Sequence, residues 1–282
     1  MSLEENLGKK IELKVNKLVE FGAYLYDGKD KEDIVLLPKK QVPEDIKLED
    51  TIEVFLYKDS SDRLIATVNE PLLTLGEVAR LKVKEVSKIG AFLDMGLERD
   101  LFLPFKEQVT KVKEGDEVIV ALYVDHTKRL AGTMKVYEYL KGKSLYRRND
   151  KVSGTVFSIS EKFGYFLCID LKYLGRIKNT ETNVKYHLGD EVTGRVIDNL
   201  PDGKLEISTK KTIAGQMKDD SDLILERLKQ EGGVLHLTDK SNPKEIEKQL
   251  GISKNAFKRA IGRLYKEEKI ELNADNIKIK AK

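Results

Sequence analysis

Tryptophan is absent from this sequence, cysteine occurs once, histidine three times and proline six times in 282 residues. A single thiol, Cys168, excludes an internal disulfide, so a disulfide-stapled secreted scaffold is ruled out and a reducing compartment fits. Scarce proline beside 40% apolar residues excludes a Pro-rich disordered chain. No apolar run approaches the roughly 20 residues of a membrane-spanning helix. The opening MSLEENLGKK carries no apolar core of a secretory leader, so no membrane contact and a cytoplasmic setting are expected. His126, His187 and His236 lie far apart, without metal-ligand spacing, and read as surface or turn residues. No phosphate loop, dinucleotide fingerprint or nucleophile elbow occurs. Neither an enzyme, a metal, a cofactor nor a small-molecule substrate is expected.

What is present is charge, 35% of residues, unevenly spread. Residues 1–137 hold 22 Lys and Arg against 26 Asp and Glu, whereas residues 138–213 and 221–282 each hold 14 against 10. A polyanionic partner is therefore expected in the second half.

The chain also repeats itself. Gly22, Gly90 and Gly164 head similar stretches, FGAYL, IGAFL and FGYFL, and a second anchor follows each at Glu49-Asp50, Gly115-Asp116 and Gly189-Asp190. LYKDSSDRLIAT (56–67) aligns without gaps on LYVDHTKRLAGT (122–133), and VIDNLPDGKLEIST (196–209) is a third version with a longer turn. Two anchors moving together indicate duplicated units. Alternating apolar residues in IELKV, DEVIVALYV and DEVTGRVI, divided by turn signals, predict about five short strands per unit. That count suggests a small closed barrel of the OB type, with the repeated glycine easing a sharp bend in a shared strand.

After Lys211 the period becomes helical. DLILERLKQEGG predicts one helix. Asn242, Pro243 and Glu245 open a second, which Gly251 stops, and Ser253 caps a third. The third helix carries an apolar stripe of Phe257, Ala260, Ile261 and Leu264, with Lys254, Lys258, Arg259, Arg263 and Lys266 beside it. KIEL and NIKIK then predict a hairpin, which completes the outline of a winged helix with a basic helix in the recognition position.

The expected fold is thus mostly β with a C-terminal α+β domain: three tandem OB-fold five-stranded barrels followed by a winged helix. The expected domains are barrels at 1–71, 72–137 and 149–213, a linker with a short helix at 138–148, and a winged helix at 214–282. Arg147 and Arg148 of the linker extend the third barrel's basic surface. Cys168 is expected in a core.

The pattern of F/I-G-x-F/Y-L, then G-D-x-V, then V-x-D-x-x-x-K/R-L resembles the S1-type RNA-binding domain. The resemblance covers about three quarters of the chain and is strongest in the third unit. It implies a face of aromatic rings, a residue in the short third strand, and an acidic–basic pair in the last hairpin. Carried over, these are Phe163, Phe166, Lys178, Asp198 and Lys204 in the third unit. The second unit offers Phe92, Asp125 and Arg129, with Ile89 replacing the first aromatic, and the first offers Phe21, Tyr24, Asp59 and Arg63. Leu37-Pro38 and Leu103-Pro104 replace the family's histidine in units one and two. Strict alternation puts Phe163 and Phe166 on opposite faces; only a bulge at Gly164 turns both outward. The order of domains, and the stretch from Leu237 to Ile270, resemble the conserved virulence factor B family of bacterial RNA-binding regulators. That resemblance implies single-stranded RNA as partner, bound mainly by the third barrel with the winged helix assisting, and an effect on virulence-gene expression after transcription. A DNA-binding transcription regulator led by the winged helix, and a protein-interaction scaffold, remain open alternatives.

Overall fold

The computed structural model describes residues 2–140 and 144–280. The chain divides into two compact units, Met1–Thr209 and Lys210–Lys282.

The first unit holds three closed five-stranded barrels. Barrel one comprises β1 (Lys10–Val19), β2 (Gly22–Tyr26), β3 (Val35–Pro38), β4 (Thr51–Lys58) and β5 (Leu64–Thr67). Barrel two comprises β6 (Val78–Val86), β7 (Gly90–Leu93), β8 (Leu101–Pro104), β9 (Glu117–Val124) and β10 (Leu130–Thr133). Barrel three comprises β11 (Lys151–Ser160), β12 (Gly164–Ile169), β13 (Tyr173–Ile177), β14 (Glu191–Asn199) and β15 (Leu205–Ser208). In each, the third and fifth strands pair in parallel to close the barrel: Leu36 opposite Ile65, Phe102 opposite Ala131, and Gly175 opposite Leu205. Alternation fills the interiors, with Leu13, Val15, Leu25 and Leu37 in barrel one and Val156, Leu167, Ile177 and Ile207 in barrel three.

Both repeat anchors have a physical cause. The repeated glycine lets the second strand close on the third. A Cβ at Gly22, Gly90 or Gly164 would lie 2.1, 2.4 and 2.0 Å from the carbonyl oxygen of Leu37, Leu103 and Ile177. The first strand carries a bulge, a feature that bends a strand and raises its twist, at the same place three times: between Val15 and Lys17, Val83 and Glu85, and Val156 and Ser158. At the second anchor, Glu49, Gly115 and Gly189 take positive φ. The following aspartate carboxylate then accepts the N–H three residues back, at 2.8 Å from Lys47, 2.7 Å from Lys113 and 2.8 Å from His187. The G-D pair is therefore a turn, closed by its own side chain.

The barrels pack through apolar junctions. Phe55 and Tyr57 of barrel one, and Leu73 of the segment after it, join the core of barrel two. Between barrels two and three, Ile119 and Ala121 meet Phe157, Cys168 and Leu174, with Val136 and Leu140 of the connecting chain among them. Arg80 crosses this junction to pair with Glu191 and to donate to the Thr155 hydroxyl at 2.8 Å. Phe157 is the bulge residue of β11, so the distortion that bends the barrel also supplies its docking contact. Of the helix expected at 138–148, what forms is a 3-10 turn at Val136–Glu138, and 144–148 carry no helix; 141–143 lie outside the described residues.

Cys168 is 3% exposed, and burial pushes its thiol up to about 12. A thiol reagent at pH 8 should leave Cys168 unmodified in the native protein and react readily in denaturant, because only a thiolate attacks. Rapid native-state labelling, read by mass spectrometry, would contradict this placement.

The second unit comprises α1 (Ile213–Gln230), β16 (Val234–Leu235), α2 (Pro243–Leu250), α3 (Lys254–Lys266), β17 (Ile270–Leu272) and β18 (Ile277–Ile279). Its sheet order is β16-β18-β17. Asn242 and Ser253 cap α2 and α3 through the N–H groups of Lys244 and Ala256, and Gly251 ends α2 in the left-handed region. Phe257, Ala260, Ile261 and Leu264 face Ile224, Leu228 and Ile246 in one core. Two features escape the sequence pattern. Helix α1 begins at Ile213, nine residues before the predicted start at Asp222, behind the cap Thr212, which accepts the Gly215 N–H at 3.0 Å. Strand β16 has only two residues, too short for alternation to register.

Candidate nucleic-acid interface

Homologous positions of the three barrels form one kind of face. Tyr24, Phe92 and Phe166 stand on the second strand and point away from the barrel interior. Their neighbours on the third strand are Leu36, Phe102 and Arg176. Beyond these on the fifth strand come Ile65, Ala131 and Glu206.

Barrel two carries the open cleft. Phe92 and Phe102 lie 5.4 Å apart, tilted at 41°. With Arg129, Asp125 and Ile89 they line a cavity of about 290 Å³, closed on its far side by Tyr57, Lys58 and Arg99. Phe92, Asp125 and Arg129 are thus brought together as the sequence suggests, but Asp125 and Arg129 are not an ion pair. The Asp125 carboxylate accepts the N–H groups of Thr127 and Arg129 at 2.8 and 3.0 Å, closing the β9–β10 hairpin. Burial works to raise its carboxyl; these bonds and the Thr127 hydroxyl outweigh burial and hold it below the usual range. Arg129 instead pairs with Asp62 of barrel one. Ile89, in the lost aromatic position, is 65% exposed.

In barrel one, Phe21 is 57% exposed and meets Tyr24 edge-on at 6.1 Å. Arg63 pairs with Asp59 at 2.7 Å. Leu36 and Ile65 beside Tyr24 leave this face with fewer rings than barrel two.

Barrel three departs most from expectation. Phe163 is not in a strand but in the β11–β12 turn, 48% exposed, with Lys162 Nζ 5.3 Å from its ring centre. No bulge at Gly164 turns Phe163 and Phe166 to one face; the bulge is on the partner strand, at Phe157. Phe166 points outward as expected, yet its ring is half-buried against Tyr137 from the connection to barrel two, at 5.7 Å. Lys204 pairs with Asp202 at 3.0 Å rather than with Asp198, because the longer Pro201–Gly203 turn brings Asp202 alongside. Asp198 lies at a bulge of β14, exposed, and accepts the N–H of Asn199. Lys178 Nζ is 2.9 Å from Glu206, a carboxylate buried on the face and shared with Arg176.

Arg63, Arg129, Lys178 and Lys204 are therefore each already matched with a carboxylate. The pairs of Arg63, Arg129 and Lys204 lie at the surface and contribute about 0–1 kcal/mol each, so a phosphate can take those cations by exchange, whereas Lys178 shares the buried Glu206 with Arg176. The net attraction then rests on the rings, each able to stack an unpaired base for about 1–3 kcal/mol.

On α3 the five cations divide. Lys254 donates to the Ser241 carbonyl at 2.9 Å, tying α3 to the turn before α2, and Arg263 pairs with Glu267 at 2.6 Å. Lys258 lies 3.9 Å from Asp239. Arg259 and Lys266, seven residues apart and so on one side of the helix, are exposed and in no ion pair among the described residues. Arg147 and Arg148 are exposed on the approach to β11.

Sequence reading misses Phe102, Tyr57, Lys58, Arg99, Arg176 and Tyr137. Phe102 had a signal, an aromatic in the third-strand segment LFLP where attention falls on the missing histidine. Tyr57 and Lys58 reach the cleft only because two barrels pack together, Arg99 of barrel two's own β7–β8 loop donates to the Lys58 carbonyl across that junction, and Tyr137 belongs to no repeat position. Among the described residues no group of three or more His, Cys, Asp and Glu could hold a metal ion, and no helix is long and apolar enough to cross a membrane.

These barrels and this winged helix define a class: a tandem array of nucleic-acid-binding domains, three of S1 type and one winged helix. Family models agree, with the S1 domain at residues 7–69 and 75–135, the second domain of the virulence regulatory factor CvfB at 139–211, and the CvfB-like winged helix domain at 222–279. The chain belongs to the conserved virulence factor B family. It is 32% identical over 273 residues to Bacillus subtilis YitL, covering 93% of this chain and 90% of that protein. It is 28% identical to Staphylococcus aureus conserved virulence factor B, covering 100% and 97%. A Streptococcus pneumoniae crystal structure, titled a multidomain protein with nucleic acid binding domains, is 25% identical with 98% and 99% coverage and a TM-score of 0.49.

Proposed function

We propose that this protein binds single-stranded RNA across its S1-type faces, with the winged helix assisting, and acts on gene expression after transcription. The observation that carries the reading is the cleft of barrel two, where Phe92, Phe102 and Arg129 converge on one open cavity. Two rings and a cation suit an unpaired base and its phosphate, and a stacked duplex base pair offers no free ring face to such a cleft. The third barrel contributes Phe163, Lys178 and Lys204 at its rim, and barrel one contributes Phe21, Tyr24 and Arg63. A role in virulence-gene expression follows the name of the Staphylococcus aureus relative and belongs to this proposal.

The test is fluorescence-anisotropy titration of the full chain with single-stranded RNA, single-stranded DNA and duplex DNA at several salt concentrations. Single-stranded RNA should bind tightest. Arg259→Ala with Lys266→Ala should weaken it and lower the slope of log affinity against log salt by about 1.4, near 0.7 for each phosphate no longer neutralised. Preference for duplex DNA that the double substitution abolishes would replace this reading with a DNA regulator. Absence of binding to all three would leave a protein-interaction scaffold.

A further inference from the structure

The connection between barrels two and three carries a ring that neither barrel's repeat requires. Tyr137 is 37% exposed, yet its neighbours are fixed: Val136 is fully buried and Leu140 is 5% exposed, both in the apolar junction. The N–H groups of Tyr139 and Leu140 both donate to the Val136 carbonyl, at 2.9 and 3.1 Å. Tyr137 thus projects from a pinned turn. One contact is Phe166, at 5.7 Å and 75°. Another is Lys204, whose Nζ is 5.6 Å from the Tyr137 ring centre. Tyr137 and Lys204, with Glu138, Leu140, Leu174, Asp202 and Gly203, line a cavity of about 190 Å³.

We propose that Tyr137 and Lys204 form a single-nucleotide subsite at this junction, the tyrosine ring stacking one unpaired base and the lysine ammonium taking the adjoining phosphate. The proposal rests on the single-stranded RNA reading and adds to it a binding residue outside the S1 repeat. An aromatic ring, a second ring against it and a cation over its surface are the elements of a stacking platform. The volume holds one base and not a run of them. The tyrosine hydroxyl and the Asp202 carboxylate hold Lys204 above the usual lysine range, so it is charged at neutral pH. Asp202 is also its competitor, paired at 3.0 Å, and a phosphate must displace it. The opposite role, a lid that keeps bases off Phe166, requires Tyr137 to swing away on binding. Its buried flanks oppose that motion: freeing the turn would expose Val136 and Leu140 to water.

Two measurements on the full chain decide the matter. In anisotropy titrations with single-stranded RNA, Tyr137→Ala should weaken binding about tenfold, as removal of one moderate stacking interaction does, and Tyr137→Phe should stay within about twofold of the parent. Tighter binding by Tyr137→Ala would show a lid and overturn the subsite, as would unchanged binding. If Tyr137→Ala fails to fold, the unsubstituted protein answers through photo-crosslinking with 5-iodouracil RNA. A crosslink mapped to Tyr137 supports the subsite, and crosslinks confined to other residues exclude it. Unsubstituted protein that does not bind single-stranded RNA at all removes the parent reading and the subsite together. Binding that is intact and sensitive to Phe92→Ala but indifferent to Tyr137→Ala removes the subsite alone.

Discussion

Replacing both Phe92 and Phe102 with alanine should lower affinity for single-stranded RNA about a hundredfold while leaving barrel two folded. Each ring contributes about 1–3 kcal/mol of stacking per base, and near 1.4 kcal/mol apiece the two losses multiply to two decades. The barrel survives because neither ring belongs to its interior, which is filled by Leu81, Val83, Leu93, Leu101 and Leu103. The cleft's cations Arg129 and Lys58, paired with Asp62 and Glu4, are the same in parent and variant, so the difference reads the rings alone. Anisotropy titration at fixed salt, with circular dichroism to check the fold, measures the effect. A loss below threefold would move the binding surface away from this cleft.

Gly164→Ala should destabilise the first unit by about 2–6 kcal/mol. Two costs combine. Gly164 has φ of +92°, where a side chain is strained by about 1–3 kcal/mol. Its new Cβ would also lie 2.0 Å from the Ile177 carbonyl oxygen, so backbone must move, at a further 1–3 kcal/mol or so. Gly189→Ala separates the two costs. Its φ is +90°, but nothing lies within 4 Å of the added Cβ, so only the strain remains. Denaturant titrations should therefore rank the parent above Gly189→Ala and that variant well above Gly164→Ala. Equal losses in the two variants would show that the close approach of β12 to β13 is not what the glycine permits.

The two glycines also show how sequence and structure divide the explanation. Both are repeat anchors in the bare sequence, and position alone gives them equal weight. One holds strands together and the other makes a turn, a distinction that appears only when the carbonyl of a residue thirteen positions away comes into contact.

The same holds for the faces. Alternation, turn residues and the repeat establish three barrels, and caps at Asn242, Gly251 and Ser253 establish the winged helix, because these are local effects of backbone geometry and side-chain period. They also nominate Phe92 and Arg129, which do meet in one cleft. They give the third barrel the leading role because its motif is the fullest. Tertiary packing changes that balance: Phe166 is engaged by Tyr137, Lys204 by Asp202, and Lys178 by Glu206, whereas barrel two keeps its rings open.

The sequence by itself determined the number of barrels and the class of each domain, because strand period and turn chemistry act over a few residues. Which outward residues are free to meet a ligand was decided only by the tertiary structure. That property depends on what chain outside the barrel places beside them: Tyr137 of the connection against Phe166, and Tyr57 and Lys58 of barrel one around the cleft of Phe92. Contacts between parts distant in sequence leave no periodic trace in either part.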